Sequence, residues 1–160
     1  TPRTPPPLAP PAPPPPPPPP PPIPRPVASL STPRKALYTV LTYDGRETWA
    51  PPHPADSRIL AAFKHHQHGD KGFGPAAGPD ATDVMAEAFR KAGFAVSIGD
   101  SAWRIDERRG ELAQALAKGI ADAALETGQV DPATVAGWLT ARPPSASALV
   151  GHQDLWARPV

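Results

Sequence analysis

The chain has 160 residues, enough for one ordinary domain, with 28 prolines and no cysteine. The missing thiols exclude disulfides, thiolate metal sites and a cysteine nucleophile, and no run of about 18 apolar residues offers a membrane span. The formal charge of +1 hides a division: Arg3, Arg25 and Arg34 are the only charges in residues 1–34, which leaves 13 basic against 15 acidic residues in the body and no basic surface for nucleic acid.

Nineteen of the prolines lie in residues 2–33, and residues 13–22 are unbroken proline. Each ring fixes φ and removes a backbone donor, so residues 1–34 are expected to form a disordered or semi-rigid polyproline II segment. Three readings of it stand together. Pro22-Ile23-Pro24-Arg25-Pro26 has the proline-arginine pattern that docks into SH3-like grooves, which would make the chain a non-catalytic interaction protein. The segment also serves as a plain linker. It is equally what a shifted reading frame in a GC-rich gene would give, and the abrupt change to globular sequence near Ala36 favours this last reading. The N-terminus lacks the basic-then-apolar order of a signal peptide, and with no spanning segment the expected location is cytoplasmic.

Residues 35–160 form the body. Residues 36–43 make an apolar, β-rich run that ends at the turn signal Asp44-Gly45, and so small a window with Thr and Val predicts a strand covered on both faces. Residues 56–65 predict a short helix with Ile59, Leu60 and Phe63 on one side and Asp56 or Ser57 as cap. Residues 69–79 carry four glycines and two prolines and read as a loop. A helix follows, capped by Asp80 or Thr82, with Val84, Met85, Ala88, Phe89 and Ala92 as its stripe and Gly93 as its stop.

Phe94, Val96 and Ile98 alternate as a strand, which Trp103 and Ile105 continue after an irregularity at Gly99-Asp100. A long helix from Asp106 or Glu107 to Thr127 places Leu112, Leu116, Ile120 and Ala123 near one face, with Gly110 and Gly119 each weakening it by about 1 kcal/mol. Asp131-Pro132 starts another helix carrying Val135, Trp138 and Leu139, which Pro143-Pro144 closes. Residues 148–158 read as the last strand, with Val150, His152, Asp154 and Trp156 on one face and Leu149, Gln153 and Leu155 on the other. Trp103, Trp138 and Trp156 fall at packing positions. Strands alternating with helices define an α/β unit.

Four stretches of the body resemble the class I S-adenosylmethionine-dependent methyltransferases, and within them a bacterial group of methyltransferase-domain proteins. They are Leu41-Thr42-Tyr43-Asp44-Gly45-Arg46, the loop His66-Gln67-His68-Gly69-Asp70-Lys71-Gly72-Phe73-Gly74-Pro75, residues 86–98 with Trp103-Arg104, and Val150-Gly151-His152-Gln153-Asp154-Leu155. In that family the sheet order is 3-2-1-4-5-7-6 with strand 7 antiparallel. The resemblance implies a partial Rossmann-like sheet in which residues 37–43 are strand 5, residues 94–98 begin strand 6 and residues 149–156 are strand 7. Strands 1–4 are then absent, together with the glycine-rich loop and the acidic residue that hold S-adenosylmethionine, so the chain is expected to be a truncated acceptor-side portion, inactive alone. It contributes no cofactor-binding residue, and the methyl acceptor is not specified.

Candidate acceptor contacts are Tyr43 and Asp44, at the carboxyl end of the first strand where open α/β sheets hold ligands. His66, Asp70 and Lys71 join them in a loop that the resemblance implies is a lid. Asp44, His66 or Asp70 would orient the acceptor or remove its proton, although no catalytic residue is assigned. His65, His66 and His68 with Asp70 are suitable metal ligands by type, but adjacent helical histidines point about 100° apart, so no metal site is assigned. With strand 4 missing, the apolar first strand exposes a free edge, and self-association through it is expected.

Overall fold

A computed structural model describes residues 24–70, 72 and 74–160. Residues 1–23, which carry most of the proline tract and the first half of the SH3-like motif, lie outside the described residues. The end of the expected extended segment is a helix, α1 (Pro24–Ser31), followed by a turn. Proline is tolerated in the first turn of a helix, where amides have no intrahelical acceptor. Beyond that turn, Val27 is buried beside Phe89 and Phe94.

The sheet is open and antiparallel throughout. Its strands are β1 (Leu37–Ala50), β2 (Phe94–Asp100), β3 (Trp103–Ile105) and β4 (Ser147–Pro159). The C-terminal strand β4 lies in the middle, paired with β1 on one side and with β2 and then β3 on the other. β2 and β3 pair successive stretches of β4, Phe94 opposite Pro159 and Ile105 opposite Ala148, so they act as one strand interrupted at residues 101–102. The outer edge of β1 pairs with no described strand.

Helices cover both faces, as alternation along β4 requires. Ala148 and Val150 enter one core with α2 (Asp56–Gln67), α4 (Gly110–Glu126) and α5 (Pro132–Thr140). Leu155 and Ala157, of opposite parity, enter a second core with α1 and α3 (Ala81–Lys91). Asp131 caps α5 as expected, accepting from the Thr134 amide at 2.8 Å. Neither Asp56 nor Asp80 caps with its side chain; Asp56 lies inside α2 and turns back to accept from the His53 amide at 2.7 Å.

Further expectations are corrected. β1 does not stop at Asp44-Gly45 but runs on to Ala50, because β4 is long enough to pair with all of it. The surplus residues are absorbed as irregularities between Thr39 and Thr42 and between Tyr43 and Glu47, with Leu41 at φ +55° and Gly45 at φ +82°. The buried face of α4 holds Leu116, Ile120 and Ala123 of the expected stripe but is broader than it and leaves out Leu112. Leu112 is 45% exposed, while Ala113, Ala117, Ala121 and Ala124 are buried, so small side chains permit close approach to α2 and the sheet. Gly110, read as a mere weak point, is a close-approach site: a Cβ there would lie 1.7 Å from the Pro144 carbonyl oxygen. Finally, only Trp138 of the three named tryptophans is buried, since Trp103 and Trp156 remain exposed beside His152 and Tyr38.

Candidate functional site

The second irregularity of β1 places Tyr43 and Asp44 side by side. The Asp44 carboxylate lies directly over Gly151 of β4, where a Cβ would come within 2.0 Å of Asp44 Oδ1. It accepts from the Arg46 amide at 2.9 Å and from Arg46 Nε at 2.8 Å, and Arg46 extends to Asp100 at 2.6 Å. Burial pushes the Asp44 carboxyl up, but the Arg46 hydrogen bonds and charge outweigh it and hold the group below the usual carboxylate range. An anion so engaged is a structural brace and a poor proton acceptor. The Tyr43 ring packs edge-on against Phe63 and His152. Burial, with Glu47 nearby, pushes its phenol well above the ordinary value, so the hydroxyl is neutral and able to donate.

The loop candidates are engaged with partners of their own. His66 Nε2 lies 2.8 Å from Glu126 Oε2 and ties α2 to α4. Asp70 Oδ1 accepts from the amides of Gly72 at 2.7 Å and Gly74 at 2.9 Å, and so shapes the loop on itself. Lys71 lies outside the described residues. The loop and α2 still reach β1: a Cβ on Gly45 would lie 3.1 Å from Lys64 Cε and 3.2 Å from Pro79 Cβ. The structure thus joins Tyr43 and Asp44 with His152, while His66 and Asp70 serve local geometry.

A second location, which sequence reasoning missed, is better formed. Between the end of β1 and the start of α2 lies a cavity of about 470 Å³, walled by Trp49, Pro52, Ile59, Leu60 and Trp138, with Glu47 and Asp56 as its acidic groups. Glu47 accepts from Trp49 Nε1 at 2.5 Å and from the Tyr43 hydroxyl at 3.4 Å. Burial first, and then the Asp56 charge, push its carboxyl above the usual range against those hydrogen bonds and the Arg142 charge. Asp56 accepts from Trp138 Nε1 at 2.7 Å and pairs with Arg142. Arg142 is 4% exposed, donates to the Pro51 carbonyl at 2.5 Å and lies over the rings of Trp49 and Trp138 at 5.1 and 4.6 Å. Trp138 and Arg142 join Asp56 from more than 80 residues away, so no local pattern announces the group. The one available signal is a basic residue directly after the apolar helix α5, at Ala141-Arg142-Pro143.

The glycine-rich loop does not suit S-adenosylmethionine, the cofactor the resemblance implies. A nucleotide loop presents free amides between a strand and a helix N-terminus. Here the glycine-rich loop follows the helix α2, and the amides of Gly72 and Gly74 are taken by Asp70. Among the described residues no three His, Asp or Glu side chains converge as a metal site. No helix among them is long and apolar enough to cross a membrane. No protein-family model matches the chain, and no curated protein matches its sequence.

Proposed function

We propose that this chain is the C-terminal, acceptor-side portion of a class I S-adenosylmethionine-dependent methyltransferase-like domain, cytoplasmic and without activity on its own. One observation carries the reading. The sheet order β1-β4-β2, with β4 antiparallel to both neighbours, is the order 5-7-6 that the four resembling stretches imply. Helical layers on both faces of β4 suit the same partial Rossmann-like architecture. The open outer edge of β1 is where strand 4 of the family's sheet would pair, and Tyr38, Val40 and Leu41 are exposed along β1.

Methyl transfer by such enzymes is an in-line displacement in which the protein mainly positions the acceptor. This portion offers walls and polar contacts for an acceptor and, among the described residues, no glycine-rich loop with free amides for the donor, so no transfer step is assigned to it. Among the described candidate contacts, Tyr43 donates to Glu47, which lines the cavity. Translation of the coding DNA upstream of the Ala36 codon in all three frames tests the reading. A strand followed by a glycine-rich loop and a helix, in either of the other frames, is the expected result. Its absence from every frame would remove the basis for a lost cofactor half.

A further inference from the structure

We infer that the cavity at the end of β1 is a binding site for a small organic ammonium ion with an apolar body. The inference goes beyond the methyltransferase reading and does not need it, because it concerns ground-state binding by this chain alone. The volume of about 470 Å³ falls within the range of small-molecule clefts, and the walls are aromatic and aliphatic with a few polar groups. An apolar body a few carbons across fills such a space.

The charge of the ligand follows from what lines the site. The described lining holds Glu47 and Asp56 but no lysine, arginine or histidine. Arg142 stands behind Asp56 and is committed: it pairs with Asp56, donates to the Pro51 carbonyl, and is covered by Trp49 and Trp138. One cation therefore serves two carboxylates, and the deficit falls on Glu47. Its neighbours Trp49 and Tyr43 contribute neutral donors only. An ammonium group at Glu47 supplies the missing charge through a charge-assisted hydrogen bond. A carboxylate ligand would instead meet two acids, Glu47 and Asp56.

Calorimetric titration of the full chain near neutral pH, with 2-phenylethylammonium, 2-phenylethanol and 3-phenylpropanoate as probes, tests the inference. Saturable binding of the ammonium is expected, with the alcohol roughly tenfold weaker or more and the propanoate silent. Glu47→Gln should erase the preference for the ammonium over the alcohol. Ser57→Trp, which changes a lining residue without touching the acids, should weaken every probe and so locate the site. Should Glu47→Gln lose its near-ultraviolet dichroism, the unaltered chain provides the same test by pH. With Tyr43, Asp56 and Arg142 as the other groups facing Glu47, ammonium affinity should rise as pH increases through the Glu47 titration. Equal affinity for ammonium and alcohol, binding of the propanoate, a pH-independent affinity, or no binding of any probe would overturn the inference. None of those results bears on the sheet order from which the methyltransferase reading comes.

Discussion

The ion pair between Asp56 and Arg142 is the strongest single stability prediction. Arg142 is buried to 4% exposure, whereas the Asp56 side chain is 31% exposed, so the two halves of the pair are unequal. Asp56→Asn can keep one acceptor, Oδ1, for Trp138 Nε1, but it sets an NH2 donor where Oδ2 accepts from the His53 amide and leaves the guanidinium buried without a counter-charge. Breaking a buried pair in that way costs about 3 kcal/mol, because an uncompensated charge remains. Arg142→Met keeps much of the stack on Trp49 and Trp138 and leaves a carboxylate that water partly solvates, so about 1–2 kcal/mol is expected. The double substitution should fall short of the sum by roughly 1–3 kcal/mol. Urea unfolding followed by tryptophan fluorescence gives all three values, provided the slope is common to the variants. Additive losses, with Asp56→Asn costing under about 0.5 kcal/mol, would show that the pair does not hold α2 to the end of α5.

Gly110→Ala would ordinarily favour a helix by up to about 1 kcal/mol. Here the new Cβ meets the Pro144 carbonyl at 1.7 Å, so a loss of about 2 kcal/mol or more is expected in the same urea assay. Glu47 is raised above its ordinary value of 4.5, so between that value and its folded value the unfolded chain releases its proton first and stability falls as pH rises. Glu47→Gln should therefore gain stability relative to the unaltered chain at neutral pH and lose that advantage below about pH 4, as read from melting temperatures across pH. Val40 is 52% exposed on the open edge strand, and Val40→Lys should suppress concentration-dependent association seen by sedimentation velocity. A chain that is monomeric at every concentration before substitution would contradict the edge argument.

Periodicity made most of the fold legible, and particular residues show where it stopped. The spacing of Phe94, Val96 and Ile98 gave β2, and Asp131-Pro132 gave the start of α5, because both signals are local. Asp44-Gly45 misled for the opposite reason: the partner that carries β1 onward is β4, whose Ser147–Val150 pairs with Glu47–Ala50 from far along the chain. The stripe on α4 held for Leu116, Ile120 and Ala123 and misled at Leu112, because close helix packing also selected alanine and glycine for the buried face. The helix at Pro24–Ser31 was hidden by composition, since proline argues against helix except at its first turn. Tyr43 and Asp44 were found as neighbours on one strand. The cavity was not, because Glu47, Asp56, Trp138 and Arg142 become a group only through tertiary contact.

Calorimetric titration of the chain with S-adenosylmethionine bears most directly on the central claim that the donor-gripping elements are not among these residues. No saturable heat at millimolar cofactor is the predicted result. Stoichiometric binding would contradict it and would require a donor site within this chain.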